Sequence, residues 1–408
     1  MANRYNPFKP NHPIFGGLFA GRYDEIERID NALFQTSYEN PTNLLFLGER
    51  GIGKTSLLLL SKYFANGEIK WNEKKHNFLT IQINLTPSTT IIDLIIKIKK
   101  QLEKELHKIN STQKIIDNVW KFIKRIEVSG FKINETASGS REQIIDDFTF
   151  SLSETVKKIT SGELSKDGIV ILIDESDTAN QELGLGSFLK NLTETLVSEN
   201  SNKVLFILTG LPIVVESLTK SHESSLRLFE KHQLKPLEEK DVKYIINKAI
   251  EDINSKSPDN IIKMENGVIE KFYELSEGYP HFLQQIGFSA ISDLETNILT
   301  AKIVENAMYK KGGALDLIGR RYYSDLFYNK INVESYRQIL KIMANKWNQW
   351  ISKTEIRKEF TGSGSELNNG INALRKRNII LTKKGVRGVY RLQWMSFAFW
   401  IRTHNMIY

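Results

Sequence analysis

The chain of 408 residues contains no cysteine. Disulfides and thiolate-held zinc are therefore excluded, and a cytoplasmic location is the natural expectation. No apolar run reaches the length that spans a bilayer. The opening stretch, MANRYNPFKPNHPIF, lacks the apolar core of a secretory signal. Acidic residues are scarce at the far end. Residues 330–408 hold 4 Asp and Glu against 15 Lys and Arg, a net +11, whereas the rest of the chain holds 44 acids against 41 bases. The whole positive excess lies in the last fifth, which points to a polyanion-facing C-terminal domain on a near-neutral body. With 40% hydrophobic and 25% charged residues, the remainder is ordinary globular composition with room for two or three domains.

The most informative stretch is Asn43 to Ala65, NLLFLGERGIGKTSLLLLSKYFA. An apolar run, Leu44 to Leu47, leads into a loop with Gly48, Gly51 and Gly53, and then into an apolar-rich helix. The loop reads G-x-x-x-x-G-K-T, the pattern of a phosphate-binding P-loop. Backbone N–H groups must wrap a nucleotide's phosphates closely, and glycine permits both the approach and positive φ. The following helix turns its positive end to the anion. Gly48, Glu49, Arg50, Gly51, Ile52, Gly53, Lys54, Thr55 and Ser56 are thus expected to hold ATP. Arg50 should point outward, Lys54 should reach the β- and γ-phosphates, and Thr55 should ligate Mg²⁺.

Further strands follow the pattern of a parallel sheet. Phe78 to Leu85 is one, and Gly168 to Ile173 is a continuous aliphatic run suited to burial on both faces. That run ends in Asp174-Glu175. Asp174 is placed to hold Mg²⁺ through water, and Glu175 to polarise the attacking water. Val204 to Leu208 is expected between the two motif strands. Thr209 at its tip either faces the γ-phosphate or is an ordinary strand-end threonine. Leu234 to Leu237 reads as a short edge strand.

Helices are expected over 23–34, 91–109, 141–159, 239–254, 266–277, 280–296, 299–310 and 315–328. Residues 86–140 look like an insertion, with a hairpin over Lys124 to Asn134. Pro280 suits the first position of its helix. Arg22 reads as a solvated cation at a helix start.

The last segment has helices at 335–345 and 366–377, and one starting from the capping box Ser352 to Glu355. Two strands then flank Lys383 to Gly388. This is the plan of a winged helix-turn-helix. Its third helix presents Asn368, Asn369, Asn372, Arg375 and Lys376, and its wing carries Lys383, Lys384 and Arg387. Such side chains suit phosphates and base edges of duplex DNA. The same fold could also serve to pack on the ATPase or on a protein partner.

Along nearly its whole length the chain resembles bacterial and archaeal ATP-binding proteins of the STAND/AAA+ type, near the archaeal ATPase and origin-initiator branch. The resemblance is carried by NPFKP, Phe19-Ala20-Gly21-Arg22, GERGIGKT, ILIDE, TGLP, SLRLFE with LKPL, EGYPHFLQQIG and the terminal segment. It implies an α/β P-loop core over 1–237, a helical lid over 238–329 and a winged helix over 330–408. It also implies slow ATP hydrolysis. Arg22 would lie beside the adenine, Pro280 would contact the base, and Arg227 would act on a neighbouring subunit's γ-phosphate or remain a surface cation. The initiators usually supply an Arg in the helix after the lid turn, where this chain has Tyr279-Pro280-His281-Phe282. That difference favours the STAND-like reading. The expected partners are duplex DNA, in genome maintenance or anti-phage defence, or else a protein effector or second copy bound through a nucleotide-gated surface.

Overall fold

A computed structural model describes residues 4–14, 16–107, 120, 141–161, 164–346, 349–377, 379–383 and 385–405. The expected hairpin at 124–134 and most of the insertion lie outside these residues, as does Lys384. The chain gathers into two compact units. One holds residues 22–48 and 54–235, and the other holds 1–21, 49–53 and 236–408.

The first unit is built on a five-stranded parallel sheet. Its strands are β1 (Asn43–Leu47), β2 (Leu79–Asn84), β3 (Ile169–Asp174), β4 (Val204–Gly210) and β5 (Phe229–Gln233). Their spatial order is β2-β3-β4-β1-β5, so β4 does lie between the two motif strands. Every residue of β1, β3 and β4 is buried, as continuous aliphatic runs require when both sheet faces are covered. Helices Tyr23–Ser37 and Lys54–Ala65 pack on the central strands. An apolar core joins Ile81, Ile171 and Phe206 of the sheet to Leu94, Phe148 and Phe188 of three further helices. Those helices are Ile91–His107, Arg141–Thr160 and Leu185–Ser198.

The register sets the strand ends level with one another. Leu47 pairs with Gly210, Phe46 with Thr209, Ile173 with Leu208, and Asn84 with Asp174. In parallel α/β sheets, ligands bind beyond these carboxyl ends.

One strand expectation fails. The edge strand is Phe229–Gln233; the Leu234 amide still donates to the Leu47 carbonyl at 2.7 Å, and residues 235–237 follow outside the sheet. The β5 sequence FEKHQ alternates with polar residues, as an edge permits, and it carries little apolar signal.

In the second unit, helices Glu239–Lys256, Val268–Ser276, Pro280–Ser292 and Ala301–Tyr309 form the first part. This stretch is not wholly helical as expected. The helix from Pro280 stops at Ser292, and β6 (Lys263–Met264) pairs in parallel with β7 (Ile298–Leu299). The helix expected over 315–328 is α-helical only over Ala314–Ile318 and π-helical over Gly319–Tyr323 and Asp325–Lys330. The N-terminal segment straps the Pro280–Ser292 helix. Asn6 Nδ2 donates to the Phe288 carbonyl at 2.9 Å, and the Lys9 amide donates to Gln284 Oε1 at 2.9 Å.

The unit ends with helices Glu334–Asn345, Lys353–Glu359 and Gly364–Lys376, then antiparallel β9 (Ile380–Thr382) and β10 (Val389–Leu392). The short β8 (Ile351–Ser352) completes that sheet in the order β8-β10-β9. A final helix, Met395–Asn405, packs against Glu334–Asn345.

Candidate nucleotide site

In the first unit the site grows from three strand ends. Beyond β1, the Gly48 amide donates to the Gly210 carbonyl of β4 at 3.1 Å. The Lys54 ammonium turns back on the loop and donates to the Gly48 carbonyl at 2.8 Å.

Asp174, at the tip of β3, is 3% exposed. Its Oδ2 accepts from the Thr55 hydroxyl at 2.7 Å. Its Oδ1 accepts from the Thr209 hydroxyl, and from the Glu175 amide at 2.9 Å. One buried carboxylate therefore gathers the helix-start threonine and the β4-tip threonine. Hydroxyl and carboxylate oxygens are the hard donors Mg²⁺ takes, and that ion is commonly held by one or two carboxylates together with substrate phosphates. Among the described residues no group of three or more His, Asp or Glu could hold a metal by itself. The donor set thus fits an ion that arrives with its nucleotide.

Glu175 is exposed and adopts φ +54°. Non-glycine residues seldom hold that conformation, and strain of this kind gathers at functional sites. The turn after it is tied down by Asp177, whose Oδ1 accepts from the Leu211 amide at 2.8 Å and so joins the β3 and β4 ends. Sequence reasoning missed Asp177. Its only signal is its place three residues after Asp174, in the turn.

The remaining loop residues, Glu49 to Gly53, belong to the second unit. Gly51 and Gly53 have φ of +76° and +101°, the positive values expected for a phosphate loop. Gly51 meets a second demand, because a Cβ there would collide with the His281 ring. The His281 amide also donates to the Gly51 carbonyl, at 3.3 Å. Arg50 is exposed, as expected, and Ile52 is buried. Glu49 accepts from the amides of Met395 and Ser396. Neither His281 nor this Glu49 contact was anticipated, since both depend on residues far apart in sequence.

His281 is buried among Tyr279, Phe282, Tyr322 and Tyr323. Desolvation lowers its pKa to about 3, with the Gly51 backbone opposing and Arg321 reinforcing the shift.

Arg22 is the residue before the Tyr23–Ser37 helix, and at 5% exposure it is not the solvated cation expected there. Pro280 opens its helix, as expected. Arg227 is exposed in the 3₁₀ turn Glu223–Leu228. Asn368, Asn369, Asn372, Arg375 and Lys376 are all exposed along the Gly364–Lys376 helix, and Lys383 and Arg387 are exposed beside β9 and β10.

Residues 37–218 match the family described as an AAA domain. A curated relative, an uncharacterized HTH-type transcriptional regulator of Methanocaldococcus jannaschii, is 26% identical over 321 residues, covering 76% of this chain and 73% of its own. Among solved structures, the Walker-type ATPase of Pyrococcus abyssi superposes with a TM-score of 0.53 at 17% identity, covering 93% of this chain and 95% of that one. The Aeropyrum pernix ORC2 protein, in ADPNP–ADP complexes, gives 0.54 at 12% identity, covering 100% and 97%. At such identities the structural likeness establishes the fold, that of a P-loop AAA+ ATPase.

Proposed function

We propose, from the premise that residues 37–218 of this chain are an AAA domain, that the protein binds ATP with Mg²⁺, hydrolyses it slowly, and couples nucleotide state to duplex DNA through its basic C-terminal segment. The observation that carries the nucleotide reading is the convergence of Thr55, Asp174 and Thr209 at level strand ends. In this reading Lys54 draws the β- and γ-phosphates, and Thr55 and Asp174 hold the ion. Mg²⁺ when bound would neutralise charge developing on the transferred phosphoryl group. Glu175 orients water from its exposed position, and Thr209 acts from the β4 tip.

Three domains are proposed: the core to residue 237, a lid to 329, and a winged helix from 330. Three helices and the β8-β10-β9 sheet support the winged-helix assignment. The exposed polar face from Asn368 to Lys376, in the segment carrying net +11, supports DNA as its partner. One relative points the same way by name, being called an HTH-type transcriptional regulator.

Calorimetry with ATP and a salt series of duplex DNA binding test this reading on the same preparations. Lys54→Ala should weaken or abolish ATP binding. Joint change of Lys383, Lys384 and Arg387 to Ala should weaken DNA binding and flatten its salt dependence, by about one unit of slope per lost phosphate contact, while ATP binding survives. Unchanged ATP affinity in Lys54→Ala would refute the nucleotide site. A wing variant that binds DNA like its parent at every salt would favour a protein effector instead.

A further inference from the structure

The tip of the phosphate loop is tied to the last helix of the chain, 346 residues away in sequence. The Met395 amide donates to Glu49 Oε1 at 2.9 Å, and the Ser396 amide to Oε2 at 3.0 Å. The Ser396 hydroxyl adds a third bond to Oε2, also at 3.0 Å. These amides open the Met395–Asn405 helix, whose first N–H groups have no partner within the helix and whose positive end favours an anion. Glu49 is therefore both a phosphate-loop residue and the cap of the terminal helix.

The helix so capped is itself firmly seated. Phe399 meets Phe282 edge to face at 5.0 Å, and Arg402 pairs with Glu277 at 2.5 Å. Phe397 and Trp400 pack on Tyr323 at 5.4 and 5.6 Å, and the Tyr323 hydroxyl reaches His281 Nε2 at 3.3 Å. His281 returns to the loop at Gly51. Glu49, the terminal helix, Tyr323, His281 and Gly51 thus close a ring of contacts, all inside one compact unit.

We infer that the Met395–Asn405 helix positions the phosphate loop, with the 395–396 amides holding Glu49 so that the loop tip keeps its phosphate-ready shape. Met395 and Ser396 are positioning residues, acting through Glu49. The inference rests on the ATP-binding reading above. A loop already shaped for its ligand has less freedom to lose on binding, so the anchor raises affinity. Coupling between two sites is reciprocal, so bound nucleotide must in turn steady the helix. If Glu49 were a helix cap and nothing more, removing its donors would leave nucleotide affinity untouched.

The test uses the full chain with Met395→Pro and Ser396→Ala combined. Proline removes one amide at the first helical position, where it is tolerated, and alanine removes the hydroxyl. ATP affinity with Mg²⁺ is measured by calorimetry, and amide exchange over 395–405 by mass spectrometry with and without ATP. The double variant should keep the parent's circular dichroism and bind ATP about tenfold more weakly, the scale of a lost charge-assisted contact. ATP should slow exchange over 395–405 in the parent and leave it unchanged in the variant. Ser396→Ala alone should shift affinity the same way by less, which guards against misfolding of the double variant.

Parent-like affinity in the double variant, or tighter binding, overturns the inference. So does a parent whose 395–405 exchange ignores ATP. A parent that binds no ATP at all overturns the nucleotide reading and this inference together, and that result is distinct from the others.

Discussion

Glu175 combines an exposed carboxylate with a backbone angle that costs energy. Glycine at this position would relieve the angle and, the side chain being exposed, forfeit little packing. Glu175→Gly is therefore expected to raise stability by about 1 kcal/mol, read as a higher denaturant midpoint, while ATP turnover collapses. Glu175→Gln keeps the backbone strain and should leave the midpoint alone, with ATP still bound and turnover lower by about a hundredfold. Equal loss of binding and turnover would make Glu175 structural.

His281 gives a pH dependence whose sign follows from its burial. An unfolded histidine titrates near about 6.5, and this one at about 3 when folded. Between those values the unfolded chain holds a proton that the folded chain does not. Stability from this residue is therefore complete above about pH 6.5 and falls by about 1.4 kcal/mol per pH unit below it. Urea midpoints at about pH 5 and about pH 7.5 should differ more for the parent than for His281→Gln. Equal differences would mean that His281 is not held neutral.

At the scale of elements, the C-terminal helices depend on their starts. Ser352 with Glu355 and Ser363 with Glu366 both form reciprocal capping boxes. In the second, Ser363 Oγ accepts from the Glu366 amide at 3.2 Å, and Glu366 Oε2 accepts from the Ser363 amide at 2.7 Å. Ser363→Ala should cost about 1 kcal/mol in chemical denaturation, and it would loosen the first turn of the helix proposed to read DNA. An unchanged midpoint would show that packing of Leu367, Ile371 and Leu374 alone holds the helix start. The Ser352 box stood out in the sequence because its residue types sit at the required spacing. The small β6–β7 pairing did not, because two-residue strands carry no periodicity to detect.

For the whole molecule, Arg227 raises the question of assembly. It is exposed in a turn, outside the sheet ladder, and the resemblance leaves it two roles, a surface cation or a cation acting on a neighbouring subunit's γ-phosphate, of which the second makes a prediction. ATP hydrolysis should then rise more steeply than linearly with protein concentration. Mixing Arg227→Ala with Glu175→Gln should restore part of the activity, because each variant keeps what the other lacks. Strictly linear rates without complementation would leave Arg227 a surface cation.

Much of this protein is determined locally and could be read before any coordinates. The P-loop, the aliphatic β3 ending in Asp174, and β4 with Thr209 next to its end are legible because burial on both faces demands unbroken apolar runs, and phosphate binding demands glycines at fixed offsets. The polar face of the Gly364–Lys376 helix follows from helical spacing in the same way.

Only the tertiary structure decided that Arg22 is buried, that β5 precedes the Leu234 to Leu237 run, and that Asp177 braces the strand ends. It alone decided that the loop tip is shared between His281 and the terminal helix. The physical reason is one of range. Periodicity and loop chemistry act between residues a few positions apart, whereas the partner of a single carboxylate such as Glu49 is chosen by packing across hundreds of residues and leaves no pattern in the chain.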